Sequence, residues 1–281
     1  MQLLRPDSLD SATAELGNGS VALAGGTDLV PLLRDRLVEA ETLVELRGVV
    51  PRGVHDGGSR IGAGTTLAEL EADREIPQAL REACSLAASP QLRSMGTIGG
   101  NLLQATRCWY WRLKFTCFLH GDDRCHARQG AHREHAIFGN EQCASAHPSD
   151  PAAALLALGT AVRTDRRELP IADLYRLPTA DDRDVTTLEP GELILELDVP
   201  QPEASTYLKA MDRARFTFAL VGVAAARTSD GVRLALAGAA PIPWLLGSPG
   251  DLDRATPLPG TAFKVDLARP LIRRALEALG D

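Results

Sequence analysis

The sequence predicts a mixed α+β protein: strand–loop–helix units first, then a small antiparallel sheet closed by a helix. Three observations predict this. Short apolar runs alternate with amphipathic segments through most of the chain. The final third carries runs of period two around the turn signal Ser229-Asp230-Gly231. The closing segment, ARPLIRRALEAL, spaces its apolar residues as a helix does. A length of 281 residues suits more than one folded unit.

The elements follow in order. Residues 8–16 read as a turn and helix capped by Ser8 or Asp10, and VALA at 21–24 as a buried strand. Gly25 and Gly26 precede the amphipathic DLVPLLRDRL, which Thr27 or Asp28 could cap, and TLVEL at 42–46 alternates as a strand. RIGA at 60–63 leads into the helical LAELEADREI, where Thr66 and Glu69 stand in capping-box register. Residues 76–88 are helical again, and RSMGTIGGNLLQ is a glycine-rich turn. Pro151 suits the first turn of a helix running through Leu158. Beyond it, 192–199 alternates, 207–211 adds a strand, and 220–227 with 232–237 flank the hairpin turn. The Asp- and Thr-rich stretch 179–190 is the expected boundary between domains 1–178 and 179–281. Within the first, lobes of about 1–53 and 54–178 are expected, the latter carrying a cysteine-rich insertion at 105–147.

Composition narrows the function. The chain is 44% hydrophobic and 24% charged, ordinary globular usage. Thirty basic residues against 37 acidic ones give a net charge of −7, which argues against a nucleic-acid binder. The longest apolar runs, 151–162 and 216–226, fall short of the roughly 18–20 residues a membrane span needs. Pro6 and Asp7 stand where a secretory signal has its apolar stretch, so a cytoplasmic location is expected, with export beside a partner left open.

Two glycine-rich segments carry the first chemical signal. In VALAGGTDLVPLL, two glycines separate a strand from a helix start, where free N–H groups and a helix terminus suit a pyrophosphate. From that segment alone a plain tight turn is the stronger reading. SMGTIGGNLL repeats the chemistry, with Thr97 and Asn101 adding side-chain hydrogen bonds. Neither matches G-x-G-x-x-G or the ATPase phosphate loop.

The second signal lies between residues 107 and 147, where Cys108, Cys117, Cys125 and Cys143 crowd among aromatic residues and five of the six histidines. Four thiolates can hold a tetrahedral zinc or a four-iron four-sulfur cluster. Zinc sites favour close C-x2-4-C pairs, whereas these gaps are eight, seven and seventeen residues and suit a larger cube. A metal-free set of reduced thiols is a third reading. His126, His132 and His135 are candidate substitute ligands, although solvated loop histidines account for them; Cys84 reads as a small buried apolar residue.

Taken in order, AGGTDL, IGAGTTLAEL, RSMGTIGGNLLQ, HPSDPAAALLALGTAV, GELILELDVP, YLKAMDRARFTFALVGVAAA and VRLALAGAAPIPW closely resemble the FAD-binding medium subunit of the molybdenum hydroxylases. The resemblance runs through the terminal AFKVDLARPLIRRAL. It implies a two-lobed FAD-binding domain of the PCMH (vanillyl-alcohol-oxidase-like) type, then a small antiparallel-sheet and helix domain. Carried over motif by motif, it implies that Ala24, Gly25, Gly26, Thr27, Asp28 and Leu29, with Gly96, Thr97, Ile98, Gly99, Gly100 and Asn101, hold the FAD pyrophosphate and ribityl region. Asp150 matches a nucleotide-binding Asp, and Ile194 and Lys209 match positions bordering the isoalloxazine. Ser94 departs from the Asn of many relatives, and the C-terminal lobe is short. RCWYWR and HAIFG resemble the branch, with 4-hydroxybenzoyl-CoA reductase and periplasmic aldehyde oxidoreductase, whose insertion binds a 4Fe-4S cluster through four cysteines.

The function implied is electron transfer. A separate molybdenum-cofactor subunit would perform hydroxylation, a small subunit would carry 2Fe-2S clusters, and this chain's FAD would exchange electrons with NAD, oxygen, quinone or another acceptor. A standalone FAD oxidoreductase and a zinc-stabilised interaction module without redox activity are the alternatives. No paired carboxylates or Ser–His–Asp set argue for independent substrate chemistry, so no catalytic residue is assigned.

Overall fold

A computed structural model describes residues 1–17, 19–214 and 216–280. The first lobe contains β1 (Gln2–Leu4), α1 (Leu9–Glu15), β2 (Ser20–Leu23), α2 (Leu29–Arg34) and β3 (Thr42–Glu45). Both β1 and β2 pair with β3 in parallel, giving a three-stranded sheet in the order β1-β3-β2. Ser8, not Asp10, caps α1, in a reciprocal capping box with Ser11.

The second lobe contains β4 (Val54–His55), β5 (Arg60–Gly62), α3 (Leu67–Ala72), α4 (Gln78–Leu86), α5 (Pro90–Arg93), α6 (Ile98–Leu102), the insertion helix α7 (Trp109–Arg112) and α8 (Asp150–Leu158). After these come β6 (Ala161–Thr164), β7 (Glu168–Pro170) and β8 (Ile194–Asp198). Their sheet runs β4-β5-β8-β6-β7. The strand β8 lies past the 179–190 stretch yet pairs with β5 and β6 of this lobe. Thr66 and Glu69 form the expected capping box of α3, but that helix stops at Asp73, well before the end of the amphipathic run.

The last part contains β9 (Ala204–Ala210), β10 (Val221–Thr228), β11 (Gly231–Ala237), β12 (Trp244–Leu246) and α9 (Phe263–Leu279). These strands form an antiparallel sheet, and Thr228 pairs with Gly231 across the Ser229-Asp230 turn. Strand periodicity divides β10 between two cores. Ala224 and Ala226 face the α4–α8 side, whereas Val221, Val223 and Ala225 face α9. The insertion joins the second of these cores through Ile137 and Phe138. It is therefore packed against the C-terminal sheet.

Every residue of α8 is buried, which explains why its sequence is apolar all round. Among the described residues, no helix is long and apolar enough to cross a membrane.

Candidate functional site

The two glycine segments meet. A Cβ on Gly25 would overlap the main-chain carbonyl of Met95 and lie 3.2 Å from Gly96 Cα, and one on Gly96 would lie 3.4 Å from Thr27 Oγ1. The contact joins the start of α2 to the approach to α6, so the bends from the two lobes share one junction. Gly26 adopts φ +72°, a left-handed conformation that favours glycine.

Their main chains differ in what they offer. Among the described residues, no hydrogen bond engages the N–H groups of Gly25, Gly26, Thr27, Asp28 or Leu29. In the second segment Gly96 N–H donates to Leu92 O, Ile98 to Thr65 O and Gly99 to Ala63 O. Gly100 N–H donates to Thr97 Oγ1, and Asn101 N–H to Thr97 O. The expected glycine-rich turn is in fact the N-capped helix α6, which uses these amides. Gly99 answers a packing demand: its Cβ would lie 2.9 Å from Ala63 Cβ. The second segment therefore does not repeat the free amides of the first, at Gly96, Gly99 or Gly100.

Asp28 holds the N-cap position of α2 without capping it through its side chain. Its carboxylate accepts from Ala105 N–H at 2.8 Å and Arg112 Nη2 at 3.0 Å, and pairs with Arg107 Nη2 at 2.9 Å. The first glycine bend is thereby tied to both ends of the segment entering the cysteine insertion. Arg107 and Arg112 escaped the sequence reading because no local pattern announces a partner some 80 residues away.

Asp150, Tyr207 and Lys209 form a second, buried constellation. Asp150 sits in the first turn of α8 behind the N-cap Ser149, whose hydroxyl donates to Asn101 Oδ1 at 2.6 Å. Tyr207 donates to Asp150 at 2.5 Å, and Lys209 Nζ to Asp150 at 2.7 Å and Leu86 O at 2.9 Å. Burial pushes the Asp150 carboxyl up, opposed by the Lys209 charge and both hydrogen bonds. Burial and the Asp150 charge push the Tyr207 phenol well above its ordinary range. The Lys209 side chain is fully enclosed and forms a buried ion pair with Asp150. Ile194 is a buried core residue at the start of β8.

The four insertion cysteines form no disulfide. Burial raises Cys108 to about 11, with the Cys125 and Cys117 charges adding to it. Burial raises Cys143 to about 12, where Cys125 and Cys108 also contribute, and burial raises Cys117 against backbone hydrogen bonds from His120 and Leu119. Among the described residues, no three His, Cys, Asp or Glu side chains converge closely enough for a metal ion. Aromatic rings crowd the segment: Tyr110 stacks on His126 and Trp111 on His120. His135 is buried beside Cys108, contrary to the solvated-loop expectation, whereas His126 and His132 are half-buried. Cys84 is buried in α4, as its apolar surroundings suggest.

A parallel lobe meets a second lobe through facing glycine bends, and the free amides of the first bend offer a concavity suited to an anion such as a phosphate. Residues 1–202 match the family described as FAD binding domain in molybdopterin dehydrogenase, and the chain belongs to that family. The aldehyde oxidoreductase FAD-binding subunit PaoB of Escherichia coli (strain K12) is 38% identical over 244 residues, covering 80% of this chain and 76% of PaoB. The carbon monoxide dehydrogenase medium chain of Afipia carboxidovorans is 41% identical over 106 residues, covering 34% of this chain and 37% of that one. A solved structure of the Cu,Mo-CO dehydrogenase superposes with a TM-score of 0.70 at 25% identity, covering 99% of this chain and 96% of its counterpart. The α+β fold expected from the sequence is thus the fold of these flavoprotein subunits.

Proposed function

We propose that this chain is the FAD-binding, electron-transferring subunit of a molybdenum hydroxylase-type oxidoreductase. The observation that carries the reading is the junction of the glycine bends within a chain of this family. Amides of Gly25, Gly26, Thr27, Asp28 and Leu29 would take the FAD pyrophosphate. The second bend, from Gly96 to Asn101, would offer close approach and the Thr97 and Asn101 side chains. Asp150, paired with Lys209, would bind the flavin nucleotide, and Ile194 and Lys209 would lie toward the isoalloxazine. Bound FAD supplies an acceptor for electron pairs that can release them singly. The chain's own part is to bind and orient it.

For the insertion we favour a 4Fe-4S cluster over a zinc ion. Cys108, Cys117, Cys125 and Cys143 would be its ligands. Their gaps of eight, seven and seventeen residues, with no close pair, suit a larger inorganic body than a single ion. The Asp28 pairs would hold that insertion against the FAD bend. PaoB and the carbon monoxide dehydrogenase medium chain are named as components of larger enzymes, which supports partnership with a molybdenum-cofactor subunit and a 2Fe-2S subunit. NAD, oxygen or quinone would be the external acceptor. We keep the expected domains, 1–178 and 179–281, within this reading, with β8 as a strand reaching back across the boundary.

The test is an anaerobic visible spectrum of the purified chain with flavin, iron and sulfide analysis. One FAD and four irons per chain are expected. A colourless folded protein that takes up no added FAD overturns the flavin reading, and zinc in place of iron overturns the cluster.

A further inference from the structure

Two arginines meet one carboxylate beside the first glycine bend. Arg112 is held along its length: Nη2 donates to Asp28 Oδ1 at 3.0 Å and Ala105 O at 3.3 Å, and Nε to Thr106 O at 2.9 Å. Arg107 is not. Its Nη2 meets Asp28 at 2.9 Å and Gln104 Oε1 at 3.2 Å, while its buried Nε–H has no acceptor among the described residues. Arg60 and Arg163 also lack a hydrogen bond at Nε, but each makes an ion pair through that atom, with Glu196 and Asp198. For Arg107 the ion contact runs through Nη2.

The charges do not cancel. One carboxylate faces two guanidinium groups, a surplus of one positive charge in a chain whose net charge is −7. Arg112 suffices to neutralise Asp28. Burial disfavours the Arg107 cation; Asp28 opposes that effect and Arg112 adds to it. A half-buried cation with an unmet donor is unfavourable by itself, and an anion beside it would relieve both costs. Its place decides which anion. Asp28 contributes one of the five unbonded amides of the first bend, so guanidinium and amides flank the same residue. The Phe218 ring, 5.2 Å from the guanidinium, supports it from the C-terminal sheet's side.

We propose that Arg107 is an FAD-binding residue, giving its surplus charge and free Nε–H to the diphosphate that the first bend takes. The inference rests on the flavin reading above. A guanidinium presents a planar fork of donors that suits phosphate oxygens. Arg112 stays on Asp28, so Arg107 can serve the phosphate without leaving that carboxylate unpaired. A contact of this kind makes FAD affinity fall as salt rises, because the surplus charge is partly exposed and therefore screened.

The test titrates wild-type, Arg107→Gln and Arg107→Lys apo-protein with FAD at low and high salt, following flavin fluorescence, with the apo melting temperature as the check on folding. No FAD uptake by the wild type overturns the flavin reading and this one together. With FAD bound by the wild type, Arg107→Gln is expected to raise the dissociation constant about ten- to a hundredfold at low salt and to flatten its salt dependence. Arg107→Lys, which keeps the charge without the fork, is expected to lose part of the affinity and keep the salt dependence. Wild-type affinity in Arg107→Gln overturns the inference, and so does weakened affinity with an unchanged salt dependence, which a merely structural role would give. If Arg107→Gln does not fold, Arg107→Lys decides: the wild-type salt dependence supports the charge role, and a flattened one overturns it.

Discussion

Replacing Gly25 with Ala tests the junction on which FAD binding depends. Gly25 does not need glycine for its φ, so the variant isolates a steric effect from backbone strain. The new Cβ would overlap the Met95 carbonyl and crowd Gly96 Cα at 3.2 Å, both main-chain atoms without a rotamer to yield. Overpacking of this kind costs about 1–3 kcal/mol. The relief available is separation of the two bends, so most of that cost should appear in FAD affinity. At about 1.4 kcal/mol per tenfold, the dissociation constant should rise roughly 5- to 150-fold. Titrating apo-protein with FAD and following flavin fluorescence measures it. Gly250→Ala, whose Cβ would come no nearer than 3.7 Å to Ser248 Oγ, serves as the neutral control. Unchanged affinity and melting temperature in Gly25→Ala would refute the reasoning.

Four further outcomes are expected. Asp28→Asn removes the ionic contacts to Arg107 and Arg112 while keeping an acceptor for Ala105, and should loosen the insertion by about 2 kcal/mol, read as faster amide exchange near 105–112. Cys117→Ser should lose iron and keep FAD; full iron retention counts against that ligand. Lys209→Met leaves Asp150 buried with Tyr207 alone, at a cost of about 3–5 kcal/mol in denaturant melts, and Lys209→Met with Asp150→Leu should recover part of it. Burial holds His147 neutral, down to about 4 from an ordinary 6.5, so the unfolded chain binds the extra proton between those values. Stability should therefore fall as pH drops from 6.5 toward 4, with this residue contributing about 1.4 kcal/mol per pH unit; a His147→Gln variant whose melting temperature tracks the wild type throughout that range refutes it.

Legibility in the sequence followed the length and regularity of the signal. The helices α8 and α9 and the hairpin β10–β11 were readable because their patterns run over several turns or alternations. β1, β4, β6, β7 and β12 were not, since strands of two to four residues carry too few alternations to show a period. RSMGTIGGNLLQ misled for a related reason. Its glycines suggest an open loop, yet Thr97 caps a helix through them because Gly99 must pass Ala63.

The order of the motifs along the chain was enough by itself to identify the family, the α+β class and the four-cysteine window. Such properties are written in local residue order. Tertiary structure alone decided that the two glycine bends touch, that only the first keeps its amides free among the described residues, and that Asp28 reaches the insertion. It alone decided that Lys209 pairs with Asp150 and that His135 turns toward Cys108. The physical reason is separation along the chain: hydrogen bonds and ion pairs spanning 27 to 84 residues are chosen by packing, which residue order does not display.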